Sequence, residues 1–189
     1  MKASAIVAAI GVGVLATALA TPEGLPPGWL QTGDAQTCKG AVVSADSAPS
    51  ARVFSLDCKS GTTGFSTLMQ QVAGTDYAGK RVRLSAQLRA DQLAAWGGLW
   101  MRADVGQRAA AFDNMYNRPL RGSFGWQAAE VVLDIPADAT ALSFGFLLNG
   151  AGQLQATKFQ LEVVGNNVAV TGESGAPVLP RQPRAMTPS

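Results

Sequence analysis

Trp100, Arg102 and Asp104 stand at alternate positions in the segment Gly98-Leu99-Trp100-Met101-Arg102-Ala103-Asp104. Successive side chains of a strand point to opposite faces, so these residues share one face and Leu99, Met101 and Ala103 share the other. An indole gives the apolar face of a sugar ring something to stack on. A guanidinium donates to the sugar's hydroxyls and a carboxylate accepts from them. The face therefore suits a sugar or a similar polyol. A plainer arrangement fits the same residues: an Arg102–Asp104 surface pair beside a Trp covered by a loop.

A second polar cluster lies in Phe112-Asp113-Asn114-Met115-Tyr116-Asn117-Arg118-Pro119. Asp113, Asn114 and Arg118 either complete a pocket or build a hydrogen-bonded loop, since Asp and Asn satisfy turn backbones well. Thr67-Leu68-Met69-Gln70-Gln71-Val72 supplies a neighbouring strand with two readings. Either Met69 and Gln71 face inward, or Leu68, Gln70 and Val72 do. The second places Gln71 beside Arg102 on a face that suits a polar ligand. Ser143, Gly145 and Asn149 oppose the apolar side of their strand and leave room there. The candidate ligand-binding set is thus Gln71, Trp100, Arg102, Asp104, Asp113, Asn114 and Arg118. Trp96 and Trp126 read as core edges or loop lids, and Trp29 as packing.

Other chemistry is thinly represented. The chain has no His, the commonest general base and metal ligand. Asp104 and Asp113 are the carboxylate pair that glycoside hydrolysis would need, yet no activating neighbour or catalytic motif accompanies them. The sequence reads as non-enzymatic, with no cofactor and no metal site. Cys38 and Cys58 are the only cysteines. In an oxidising compartment they can bridge, closing a loop worth about 3 kcal/mol. A catalytic thiol would need a C-x-x-C spacing or an activating His.

These residues need strands to position them, and the dominant period is two. Val82, Leu84, Ala86 and Leu88 alternate with Arg81, Arg83, Ser85, Gln87 and Arg89. Val131, Leu133 and Ile135 share a face, as do Leu142, Phe144, Phe146 and Leu148, and then Phe159, Leu161 and Val163. Turn signals recur between such runs, the rhythm of an antiparallel sandwich or barrel. The one helical candidate is a single turn at Asp91–Ala95, capped by Asp91. Residues 1–20 read as a secretory signal: Lys2, an apolar stretch from Ala5 to Leu19, and small residues at Ala18-Leu19-Ala20. A linker at 21–28, a sandwich at 29–164 and a disordered Pro-rich tail at 165–189 complete the plan. No second long apolar run follows the signal, so no stable membrane span is expected after cleavage. The net charge is only +2 and the cations are scattered, so nucleic acid is not an expected partner. Arg181 and Arg184 among prolines make the tail a candidate tether for an envelope protein partner.

The run of Thr67-Leu68-Met69-Gln70-Gln71, Tyr77-Ala78-Gly79-Lys80-Arg81-Val82-Arg83-Leu84-Ser85, the Gly98–Asp104 segment, Phe112-Asp113-Asn114-Met115, Arg118-Pro119, Trp126, Val131–Pro136, Ser143–Leu148 and Gly150-Ala151-Gly152-Gln153 resembles a bacterial β-sandwich module. The module is of the galactose-binding-like, jelly-roll type, and the resemblance covers about Gln36 to Val164. It implies an all-β, antiparallel jelly-roll sandwich, found alone or attached to transcriptional regulators and similar in fold to non-catalytic carbohydrate-binding modules. In the module the last strand usually carries an aromatic and an Asp-Asp pair, where this chain has Gln155, Thr157 and Lys158. The cysteine pair and the export signal also depart from it. The expected function is an exported, periplasmic or secreted, non-catalytic module for a carbohydrate or similar polar ligand. The alternative is a structural or partner-binding envelope protein.

Overall fold

A computed structural model of the chain describes residues 24–45 and 48–172. The expected signal at 1–20 and the residues beyond 172 lie outside this range. The described chain is all-β, with nine strands in antiparallel pairing. They are β1 (Leu30–Gly33), β2 (Cys38–Ala45), β3 (Ala48–Cys58), β4 (Phe65–Ala73), β5 (Arg81–Val105), β6 (Arg108–Asp113), β7 (Leu120–Asp134), β8 (Ala141–Asn149) and β9 (Gly152–Val164).

Strand β5 belongs to both layers of the sandwich. Its first half, Arg81 to Asp91, pairs with β7 on one side and β9 on the other. Beyond β9 come β3 and β2. Its second half, Trp96 to Asp104, pairs with β8, and β6 pairs with Met101 to Val105. Beyond β8 come β4 and β1. The layers are therefore β2-β3-β9-β5-β7 and β1-β4-β8-β5-β6, joined where β5 bends.

The bend replaces the helical turn expected at Asp91–Ala95. The register slips between Leu88 and Gly97, and Gln92 takes φ 52°. Tertiary partners hold this path: the Gln92 N–H donates to Ser123 Oγ, whose hydroxyl donates to Asp91 Oδ1, and the Ala94 N–H donates to Ala151 O. An intrinsic cap preference is too weak to compete with them.

The core lies between the layers. Leu56, Val82, Leu84, Leu88 and Leu154 meet Leu68, Leu99, Met101, Phe146 and Leu148, all fully or almost fully buried. Leu68 thus faces inward and Met69 and Gln71 outward, which decides the two readings of β4. Cys38 and Cys58 are register partners at the start of β2 and the end of β3, and they form a disulfide. Gln31 ties the layers at the same end: its amide donates to Cys38 O and Ser66 Oγ and accepts from the Gly40 N–H.

The sandwich does not stop at Val164. Arg81 Nη1 donates to Asn166 O and Val168 O, and the Thr171 N–H donates to Val132 O. The Thr171 hydroxyl accepts from the Val132 N–H and donates to Asp113. The first residues of the expected tail are thus a strap along β7. Tail residues 173–189, including Arg181 and Arg184, lie outside the described residues.

Candidate functional site

Along the outer face of β1-β4-β8-β5-β6 the register sets side chains in rows. Trp96 sits beside Asn149 and Phe65, and Leu147 beside Thr67 and Thr32. Trp100 is next to Gly145 and Met69, and Arg102 next to Ser143 and Gln71. On its other side Arg102 faces Phe112 of β6. From Trp96 to Asp104 the rows extend about 26 Å along the strand axis at the usual strand rise.

Most of this face is a trough. One hollow of about 500 Å³ is lined by Phe65, Met69, Trp96, Trp100, Phe112 and Leu147, with Thr32, Thr67, Arg102, Asn114 and Asn149 as its polar members. A second, of about 440 Å³, is lined by Gln71, Arg102, Asp104, Gln107 and their neighbours. Arg102 belongs to both and joins them. Trp96, Trp100 and Leu147 form a small apolar cluster of their own, outside the main core.

Trp100 is the floor of the trough. The residue is only 8% exposed, and Nε1 donates to Thr67 Oγ1 at 2.7 Å. Thr67 lies on β4 and Trp100 on β5, so the indole spans the intervening β8. Gly145 occupies the position beside Trp100 on β8, where a Cβ would run into the β4 backbone at Leu68 and Met69. The exposed rings are on the rim: Phe65 at 52%, Phe112 at 44% and Tyr116 at 73%, the last edge-on to Trp96. The exposed rings of Phe65 and Phe112, lining one hollow, make this face the candidate binding surface.

Arg102 is half engaged. Its Nε contacts the carboxylate of Asp104, 3.0 Å from Oδ1 and 3.2 Å from Oδ2, and Asp104 is nearly buried. Nη1 and Nη2 have no hydrogen bond among the described residues. Gln71 Nε2 donates to Ser143 Oγ.

The Asp113 cluster is a different construction. Asp113 alternates with Phe112 and faces inward, opposite Met101. Its carboxylate accepts from Arg118 Nη2 at 2.6 Å and Nη1 at 3.1 Å, from the Thr171 hydroxyl at 2.7 Å and from the Met115 N–H at 2.8 Å. Burial pushes its pKa up, but the hydrogen bonds from Arg118, Thr171 and Met115, with the Arg118 charge, outweigh burial and hold it below the ordinary value. Met115, at φ 62°, drops its side chain into the core over Gly98, where a Cβ would sit 3.1 Å from Met115 Cβ. Asn114 Oδ1 accepts from the Tyr116 N–H, an Asx turn.

The structure therefore brings Trp100, Arg102, Asp104, Gln71 and Asn114 to the trough and puts Asp113 and Arg118 behind it. Asp104 and Asp113 lie on opposite faces of the sheet, so these two carboxylates are not brought together. Phe65, Met69, Leu147 and Asn149 are lining residues absent from the expected set, as are Trp96 and Phe112. Two adjacent apolar residues, Leu147-Leu148, were the available signal: in a period-two strand one of them must lie on the open face.

No family model matches the chain. The uncharacterised HTH-type transcriptional regulator YbfP of Bacillus subtilis is 38% identical over 108 residues, 57% of this chain. The chain spans only 37% of that regulator's length. Among solved structures, the CBM22-1 xylan-binding domain of Paenibacillus barcinonensis Xyn10C superposes with TM-score 0.52 and 15% identity, covering 75% of this chain and 89% of that one. The fold is that of the carbohydrate-binding-module jelly-rolls. An apo cyclase from Fischerella sp. shares it, with TM-score 0.52 and 15% identity over 76% of this chain and 84% of its own. One fold thus carries binding and catalysis, and the site must decide between them.

Proposed function

We propose that the chain is an exported, non-catalytic carbohydrate-binding module that takes a glycan in the trough on the outer β1-β4-β8-β5-β6 face. One observation carries this reading: a 500 Å³ hollow with an indole floor, bordered by the exposed rings of Phe65 and Phe112, with Arg102 at the end that opens into the polar hollow. Phe65 and Phe112 stack on sugar faces. Asn114, Asn149 and Arg102 hydrogen-bond to ring substituents, and Gln71 and Asp104 border the polar end. Asp113 and Arg118 act indirectly, by holding the loop that carries Asn114. The likeness to carbohydrate-binding-module folds supports the reading. So does the separation of Asp104 from Asp113, the carboxylate pair that the sequence offered for hydrolysis. Affinity in such an open site falls in the micromolar to millimolar range, since area alone does not make tight binding. The Cys38–Cys58 bridge supports an oxidising, periplasmic or secreted location, to which the sequence of residues 1–20 would direct the chain.

Glycan arrays followed by calorimetry test the proposal. Wild type binds at least one glycan class, and Phe112→Ala weakens that binding about tenfold with an unchanged melting temperature. Wild type that binds no glycan sinks the reading. The second reading, a protein partner, draws on Tyr116 at 73% exposure. It predicts that Tyr116→Ala disrupts a protein complex while no glycan binds.

A further inference from the structure

Among the described residues that line the trough, the exposed charge belongs to a donor, Arg102. Thr67 Oγ1 is occupied twice over, accepting from Trp100 and donating to Phe146 O. Asn114, which lines the hollow, has its oxygen committed to the Tyr116 N–H, and its amide N–H groups have no acceptor among the described residues. Asp104 is the only carboxylate among the described residues that line either hollow, and it is nearly buried against Arg102 Nε. Arg102 keeps Nη1 and Nη2, a planar pair of donors on a side chain 43% exposed. Gln71, Gln107 and Asn149 each add an uncommitted amide oxygen and Thr32 a hydroxyl, and all four of these acceptors are neutral.

A neutral sugar offers hydroxyls that donate as readily as they accept, and a site for it gains from exposed carboxylates. Among the described residues this trough provides none. A guanidinium with two parallel free N–H groups matches a planar carboxylate, and such a bidentate pair is roughly twice as strong as a neutral hydrogen bond. The apolar hollow on the other side of Arg102 accommodates the ring that bears the acid. Resting on the glycan reading above, we propose that the preferred glycan is acidic, a uronate whose carboxylate sits in the Nη1–Nη2 fork of Arg102.

The experiment compares three probes by calorimetry on the full chain at low and moderate salt: tetragalacturonate, its fully methyl-esterified form, and xylotetraose. The expected result is acid bound about tenfold more tightly than the ester at low salt, with the advantage shrinking as salt rises. Arg102→Gln equalises acid and ester. That variant leaves Asp104 without its cation, so Arg102→Lys serves as the second test. It keeps a charge against Asp104, melts with wild type, and loses most of the preference because an ammonium has no fork. Ester or xylotetraose bound as well as the acid overturns the inference and leaves the glycan reading standing. An acid preference that survives in both variants also overturns it, because the carboxylate then sits elsewhere. Binding of none of the three probes overturns the inference, and the glycan reading falls only if the wider array is also blank.

Discussion

Asp113 shows how little a residue's type says about its use. In the sequence it stands between an aromatic and an Asn, a fair ligand-binding position. In the structure four donors converge on it, two of them on Arg118, five positions away, and one on Thr171, 58 positions away. No local pattern announces the second partner. Asp113→Asn should cost about 2 kcal/mol, the usual worth of a charge-assisted hydrogen bond, measured by urea denaturation. The pH dependence has a definite sign. The folded pKa of Asp113 lies below its unfolded value, so the unfolded chain binds more protons in that window. Its stabilisation is complete above about pH 4 and is lost as pH falls through the lower folded value. Asp113→Asn should therefore show a shallower acid limb than wild type, and an unchanged limb would mean the carboxylate is not so held. Trp100, by contrast, was legible: alternation alone put it on the face of Arg102. Its depth was not legible, because Thr67 lies two strands away. Trp100→Ala is consequently a poor binding test. Loss of a nearly buried indole should cost about 3–5 kcal/mol, whereas Phe112→Ala removes a ring that is 44% exposed.

At the scale of elements, the period-two runs marked most strands, and the buried-intermediate alternation from Arg81 to Leu88 matches them residue by residue. The two halves of β5 were also visible, as separate runs. Their union into one strand of 25 residues was not, because the bend depends on Ser123 and Ala151, brought there by β7 and the β8–β9 turn. The trough depends on how closely β4 and β8 approach. A Cβ on Gly145 would lie 2.1 Å from Leu68 O and 2.8 Å from Met69 Cα, both backbone atoms. Gly145→Ala should therefore push β4 away from β8, destabilise by about 1–3 kcal/mol and weaken glycan binding. Gly125, where a Cβ meets nothing within 4 Å, is the matched control. Its Ala variant should melt within about a degree of wild type. Equal melting of the two variants would show that the β4–β8 approach is not tight.

At the scale of the molecule, the sandwich is closed by two devices far apart. The Cys38–Cys58 bridge fixes β2 to β3 at one edge, and the strap from Gly165 to Gly172 runs along β7 at the other. The composition after Val164 suggested a loose tail. It concealed the strap because the strap contributes mainly backbone carbonyls and one hydroxyl, and these leave no apolar pattern. Truncation after Val164 should lower the melting temperature by several degrees relative to truncation after Gly172, with calorimetric scans as the readout. Equal stability would mean that the strap's hydrogen bonds merely replace water. Reducing the bridge should cost about 3 kcal/mol in the chain-entropy account.

The four tryptophans report on separate parts of the sandwich: Trp96 and Trp100 in the trough, Trp126 on β7, and Trp29 packed between Phe54 and Phe159. A titration with a glycan that binds, followed through the indole N–H resonances, therefore locates the site without any mutation. Saturable shifts of the Trp96 and Trp100 signals, with Trp29 and Trp126 still, are the predicted result. Shifts at Trp126 with Trp96 and Trp100 unmoved would place the glycan on the other layer and contradict the account.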